Sequence, residues 1–155
     1  MKLFSFLASV ALVRSGLVQD DGTVRDSDGT LCASNERNQL RVKPCDASDA
    51  RQVFDKAHWE STGQIKNVAD NTCWWVPSVS DANNKNTNQR IWLIRCDTSS
   101  PRLDANQLLW SMSGTQIKNA YTDSVVSDHC VAFRNNGYPL KMKPCSHRKT
   151  FEATV

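Results

Sequence analysis

The stretch GTQIKN, Gly114 to Asn119, has a near copy in GQIKN, Gly63 to Asn67. A fainter third version reads GTVRD, Gly22 to Asp26. Each opens on a glycine, places a β-branched residue two or three positions on (Val24, Ile65, Ile117), and closes on a base followed by Asn or Asp. The distance to the next cysteine supports the equivalence. Gly22 stands ten residues before Cys32 and Gly63 ten before Cys73, while in the third copy the gap to Cys130 widens to sixteen. A phrase that recurs at spacings of 41 and 51 residues marks a repeat architecture, in which each unit needs its neighbours to bury its apolar face.

Working outward from the phrase, the chain divides into units 22–62, 63–113 and 114–155, which together form one domain, 22–155. Each holds the same parts in the same order: the Gly-led segment, a polar turn, a first cysteine, a variable loop, an alternating apolar run, a second cysteine and an aromatic-ended segment. LRVKPC and LKMKPC match closely between units one and three. In the former, Leu40 and Val42 alternate with Arg41 and Lys43; in the latter, Leu140 and Met142 alternate with lysines. A period of two is that of a half-buried strand. RIWLIRC in unit two is more apolar, which predicts a strand buried on both faces. Asp28-Gly29, Asp70-Asn71 and Asn135-Asn136-Gly137 supply turns. No long 3.6-residue periodicity appears, so the predicted class is all-β. Val24, Ile65 and Ile117 are expected to lie in the first strand of each unit with their side chains in the core.

Six cysteines allow fifteen pairings. If the units are equivalent, each pairs its own two, giving Cys32–Cys45, Cys73–Cys96 and Cys130–Cys145. Each such bridge contributes roughly 3 kcal/mol in the chain-entropy model. Zinc binding needs tighter clusters than these spacings of 13, 23 and 15, so no metal site is expected.

The segment MKLFSFLASVALVRSG carries Lys2, an apolar run from Leu3 to Val13 and small residues at Ser15 and Gly16, the pattern of a signal peptide over residues 1–15. It predicts secretion, in keeping with paired cysteines. The whole chain of 155 residues has a net charge of +3. Of its nineteen basic residues, Lys2 and Arg14 lie in that segment, leaving seventeen against sixteen acidic ones. They are scattered along the sequence, which predicts neither nucleic-acid binding nor membrane insertion.

Three units of this size, each with a cysteine pair and a closing segment of Gln-x-aromatic type, resemble the ricin B-chain type β-trefoil lectin family. The closing segments are RQVF (Arg51–Phe54), NQLLW (Asn106–Trp110) and RKTF (Arg148–Phe151). The resemblance implies twelve short strands, a six-stranded barrel capped by three hairpins, and core positions for Phe54, Trp110 and Phe151. It also implies that the first Gly-led strand pairs with the chain's end.

Sugar sites of the family use an acid two residues after the first cysteine, an aromatic two residues before the second, and an Asn-Gln pair. Here the acid position holds Ser34, Trp75 and Ala132, and the aromatic position holds Lys43, Ile94 and Lys143. The amide pair is complete as Asn106-Gln107, and Gln52 keeps half of it in unit one. The candidate carbohydrate site is therefore in unit two: Trp75, Trp92, Asn106 and Gln107. By the family pattern Trp74, next to the cysteine, faces the core, leaving Trp75 at the surface. The expected partners are glycans or glycoproteins, with no cofactor. His58, His129 and His147 accompany no nucleophile motif, and neither a paired-carboxylate signature nor a phosphate-binding glycine loop is present, so catalysis is not expected. The competing reading is a non-lectin trefoil, a protease inhibitor or other secreted effector presenting the loop from Val76 to Arg90.

Overall fold

The three opening glycines share one backbone conformation. Gly22, Gly63 and Gly114 have φ of 79°, 77° and 61°, a left-handed geometry that a Cβ disfavours. In the computed structural model, residues 17–77, 89–97, 99, 103–126 and 128–146 are described. Beyond each glycine, Val24, Ile65 and Ile117 are fully buried. The carbonyls of Val24 and Ile65 accept from Ala33 and Trp74 at 2.9 and 3.0 Å, in matching positions of units one and two. As a full strand the phrase exists only in unit three. In units one and two it is reduced to isolated bridges, Arg25 to Cys32 in the first and Lys66 to Cys73 and Asn67 to Phe54 in the second.

Each unit then builds one antiparallel hairpin. Strands β1 (Leu31–Glu36) and β2 (Gln39–Pro44) form the first, β3 (Thr72–Trp75) and β4 (Trp92–Arg95) the second, and, in unit three, β7 (His129–Ala132) and β8 (Lys141–Pro144) the third. Between the last two hairpins run β5 (Trp110–Ser113) and β6 (Gln116–Asn119), which pair with each other. The disulfides Cys32–Cys45, Cys73–Cys96 and Cys130–Cys145 staple the hairpins, with Cα separations of 4.8, 5.0 and 5.0 Å. This is the pairing that unit equivalence predicts.

The hairpins meet in a ring. Leu40 N–H donates to Ile91, Ile91 N–H to Leu140, and Leu140 N–H back to Leu40, at 3.2, 3.0 and 3.0 Å. A second cycle of like kind surrounds it, from Val42 to Tyr138, Leu93 to Asn38 and Met142 to Gln89. The side chains of Leu40, Ile91 and Leu140 are fully buried, as are Val42 and Met142, with Leu93 almost so. Each unit thus contributes equivalent residues to one shared core.

At the other end the closing aromatics pack on Trp74. Its ring meets Phe54 and Trp110 edge to face, both at 5.5 Å between centroids, an arrangement that aligns the positive ring edge with a negative face. Phe54 N–H donates to Gly22 and Trp110 N–H to Gly63, both at 2.8 Å. The last residue of the phrase fastens the preceding unit: Asn67 Nδ2 donates to the carbonyls of Ala50, Arg51 and Val53, and Asn119 Nδ2 to those of Gln107 and Leu109. Residues 148–151, including Phe151, and the pairing of the first unit with the chain's end lie outside the described residues, as does the segment 1–15.

Two further features depart from the sequence reading. Short helices occur at α1 (Lys56–Thr62) and α2 (Ala120–Val125). Asp55 caps the first by accepting from His58 N–H, and Gly63 ends it; Asn119 caps the second by accepting from Thr122 N–H. Helix α2 accounts for most of the longer interval before Cys130. Strand β4 is buried on one face only: Leu93 is inside, while Trp92 and Ile94 are half-exposed. Its apolar outer face reflects what Trp92 stands beside, described below. No helix among the described residues is long and apolar enough to cross a membrane.

The glycines give a first test. A Cβ on Gly22 would lie 2.6 Å from Val53 Cγ1 and 3.0 Å from the Phe54 carbonyl, whereas one on Gly114 meets nothing within 4 Å. Gly114→Ala is expected to cost about 1 kcal/mol, from the left-handed backbone alone. Gly22→Ala adds overpacking, for about 2–4 kcal/mol. Urea denaturation of the oxidised proteins measures both, and equal losses would refute the packing difference.

Candidate functional site

Pairing register places four side chains in a row across the four-stranded sheet. Glu36 stands opposite Gln39 on β1 and β2, Gln39 opposite Trp92 on β4, and Trp92 opposite Trp75 on β3. Residues directly opposite share a face, so Glu36, Gln39, Trp92 and Trp75 all project to the outer side. Trp74 and Leu93 project inward. Both Trp75 and Trp92 are half-buried, which leaves part of each indole to solvent.

Asn106 and Gln107 lie on a 3₁₀ turn, Ala105–Leu108, opened by Asp104, whose carboxylate accepts from Asn106 N–H at 2.9 Å. A reciprocal pair stitches this turn to the end of β3: Gln107 Nε2 donates to the Val76 carbonyl at 2.9 Å, and Val76 N–H donates to the Gln107 carbonyl at 3.2 Å. Gln107 is only 1% exposed, and its Oε1 accepts from Asp104 N–H at 3.0 Å. Its amide is thus engaged at both ends with main chain, which anchors the turn beside Trp75. Asn106 is exposed. Gln52 does similar work in unit one, joining Pro44 and Asp46 on either side of Cys45.

At the family's acid positions, Ser34 is fully buried and Ala132 almost so. Unit one nevertheless presents a carboxylate on the same strand face, two residues further on. Glu36 Oε1 accepts from Ser34 Oγ at 3.1 Å and lies 3.4 Å from an Arg51 guanidinium nitrogen. Position-by-position comparison overlooks it; the period of two along β1 is the signal that finds it.

Two hollows flank this carboxylate. A cleft of about 540 Å³ is lined by Glu36, Arg37, Gln39, Arg41, Lys43, Trp92 and Gly137. Arg41 is held at its wall by donating to the Gly137 carbonyl at 2.8 Å. The other hollow, about 310 Å³, has Glu36, Lys43, Asp46, Asp49 and Arg51 in its wall. There the charges pair among themselves, and hydrogen bonding from Arg51 holds the Asp49 carboxyl below its ordinary range.

Basic residues scattered in sequence converge in space. Across the ring, Arg90 bridges directly to Lys141. Burial, together with the charges of Arg90, Lys143 and Arg134, holds the Lys141 ammonium below the usual lysine range. His58 lies with Cys73 and Cys96 in a group spanning 4.8 Å, yet both sulfurs are spent in a disulfide and offer no thiolate to a metal. His147 and most of the loop Val76–Arg90, namely 78–88, lie outside the described residues.

No family model matches the chain, and no curated protein does. Among solved structures, an agglutinin from Abrus precatorius is similar, with a TM-score of 0.59 and 14% identity over 84% of this chain. The match spans 45% of the agglutinin chain, less than half its length.

Proposed function

We propose that the chain is a secreted β-trefoil module of ricin B-chain type that binds glycans without catalysis, through a site on its second unit. Trp75 and Trp92 form the stacking surface, Asn106 supplies hydrogen bonds to hydroxyls, and Gln107 holds the turn in place. The observation that carries this reading is the cross-strand pair of half-exposed indoles. Two large apolar side chains side by side on an outer face give the C–H surface of a sugar ring a place to stack. The likeness to an agglutinin supports it, and the two cyclic hydrogen-bond sets support three trefoil units, 22–62, 63–113 and 114–155. The three disulfides fit an oxidising compartment, as does a signal peptide at 1–15.

A glycan array with the oxidised protein, followed by titration of the best ligand, tests the proposal. Trp75→Ala and Trp92→Ala are each expected to weaken binding by about tenfold or more, equal to the loss of about 1.4 kcal/mol of contact. Val68→Ala, at an exposed valine outside this pair of strands, should change nothing. A folded protein that binds no glycan, or a Trp75→Ala variant with undiminished affinity, would reject the site.

A further inference from the structure

The cleft beside Trp92 has a chemistry of its own. Arg37, Arg41 and Lys43 contribute three cations against the single carboxylate of Glu36. That carboxylate is already engaged by Ser34 and faces Arg51, so it offsets little of the positive field inside the cleft. At the same wall sits Gln39, 6% exposed, whose Nε2 is buried and has no hydrogen-bond partner among the described residues. A buried amide donor without an acceptor costs on the order of 1–3 kcal/mol, and an acceptor bound in the cleft would recover it. Gln39 stands directly opposite Trp92, so an acceptor at its amide would lie beside the edge of the aromatic surface.

We infer that the glycan is acidic: its anionic group, a carboxylate or a sulfate ester, enters the cleft between Arg37, Arg41 and Lys43 and accepts from Gln39, while the sugar ring carrying it stacks on Trp92. This rests on the glycan-binding reading and names the substrate class of that site. Guanidinium and ammonium donors suit either oxyanion. The volume is that of a small-ligand pocket, which fits one or two sugar residues rather than the track of a nucleic-acid backbone.

The test uses the full oxidised protein and calorimetric titration with four probes: an oligogalacturonate, a heparin-derived sulfated oligosaccharide, a neutral galacto-oligosaccharide and a single-stranded DNA oligonucleotide. At least one acidic oligosaccharide is expected to bind about tenfold more tightly than the neutral one, and which of the two prevails distinguishes carboxylate from sulfate. Lys43→Gln should remove about tenfold of that affinity, the worth of one charge-assisted hydrogen bond, and Arg37→Gln at the exposed turn provides a second variant with little effect on folding. Neither should alter binding of the neutral probe, whereas Trp75→Ala should weaken both kinds of glycan. Equal binding of acidic and neutral sugars, unchanged by Lys43→Gln, would overturn the acidic class and leave the glycan reading standing. Equal binding of the DNA would overturn it as well, reducing the cleft to a general polyanion surface. Absence of any glycan binding by the folded protein would instead remove the reading on which it rests.

Discussion

Trp74→Ala is expected to destabilise the oxidised protein by about 3–5 kcal/mol, the usual range for deleting a large aromatic from a core. The indole is fully buried between Phe54 and Trp110, and those two rings belong to the closing segments of different units. Its removal opens a cavity at the point where the units join, and both edge-to-face contacts go with it. The Trp74 indole N–H has no acceptor among the described residues, so the loss is one of packing and not of hydrogen bonding. A domain stabilised by 5–15 kcal/mol would forfeit a large part of its margin. Urea unfolding followed by far-ultraviolet circular dichroism measures it. Trp75→Ala is the control, since the same side chain half-exposed on the outer face should cost under about 1.5 kcal/mol. Comparable losses at both positions would contradict the division into one core and one surface tryptophan.

Asn67→Asp is the second large effect, and it depends on pH. The Asn67 amide is fully buried and donates to three carbonyls of the preceding unit, those of Ala50, Arg51 and Val53. A carboxylate of the same shape has no donor to offer and sets negative charge against those three oxygens. The expected cost at pH 7 is about 3 kcal/mol or more. Burial and the carbonyls would raise the pKa of the introduced carboxyl in the folded state above its unfolded value near 4. The folded state then binds more protons than the unfolded one, so stability relative to the parent falls as pH rises through that interval. The deficit should be smallest below pH 4, where the protonated carboxyl again donates, and should level off above the folded pKa. Urea midpoints of variant and parent compared at each pH test this, and a deficit independent of pH would refute it. Unit one carries Asp26 at this place without such a penalty because donors face it: the N–H groups of Thr30 and Leu31 lie 3.0 and 3.1 Å from its carboxylate.

The same residues show what the sequence discloses and what it hides. The phrase around Gly22, Gly63 and Gly114 was enough to align the units, and alignment alone assigns the disulfides and the buried places of Val24, Ile65 and Ile117. Adjacent tryptophans in a strand sort themselves by the alternation of faces. Helices α1 and α2 escaped because elements of seven and six residues are too short for periodicity to register. Their caps, Asp55, Gly63 and Asn119, were the only local signals. The outer face of the four-stranded sheet was hidden for a different reason. Gln39 and Trp92 come from different units, and their pairing depends on a register set by the ring of hairpins rather than by any local pattern. Arg37, Arg41 and Lys43 look dispersed in sequence because a hairpin turn and the period of a strand separate them, and the fold collects them against Gly137 and Trp92.

The cycle through Leu40, Ile91 and Leu140 also has a meaning for how the chain is made. None of the three hairpins can satisfy its own central amide, because the acceptor lies in another unit. During synthesis the first two hairpins can oxidise and join through Leu40 and Ile91, yet the cycle stays open until Leu140 has left the ribosome. Its closure unites the first and third units, the contact of greatest sequence separation in the set, and such contacts form slowly. The cystine staples on the early hairpins therefore act as holding clips, preserving their strands during the wait for the last third of the molecule.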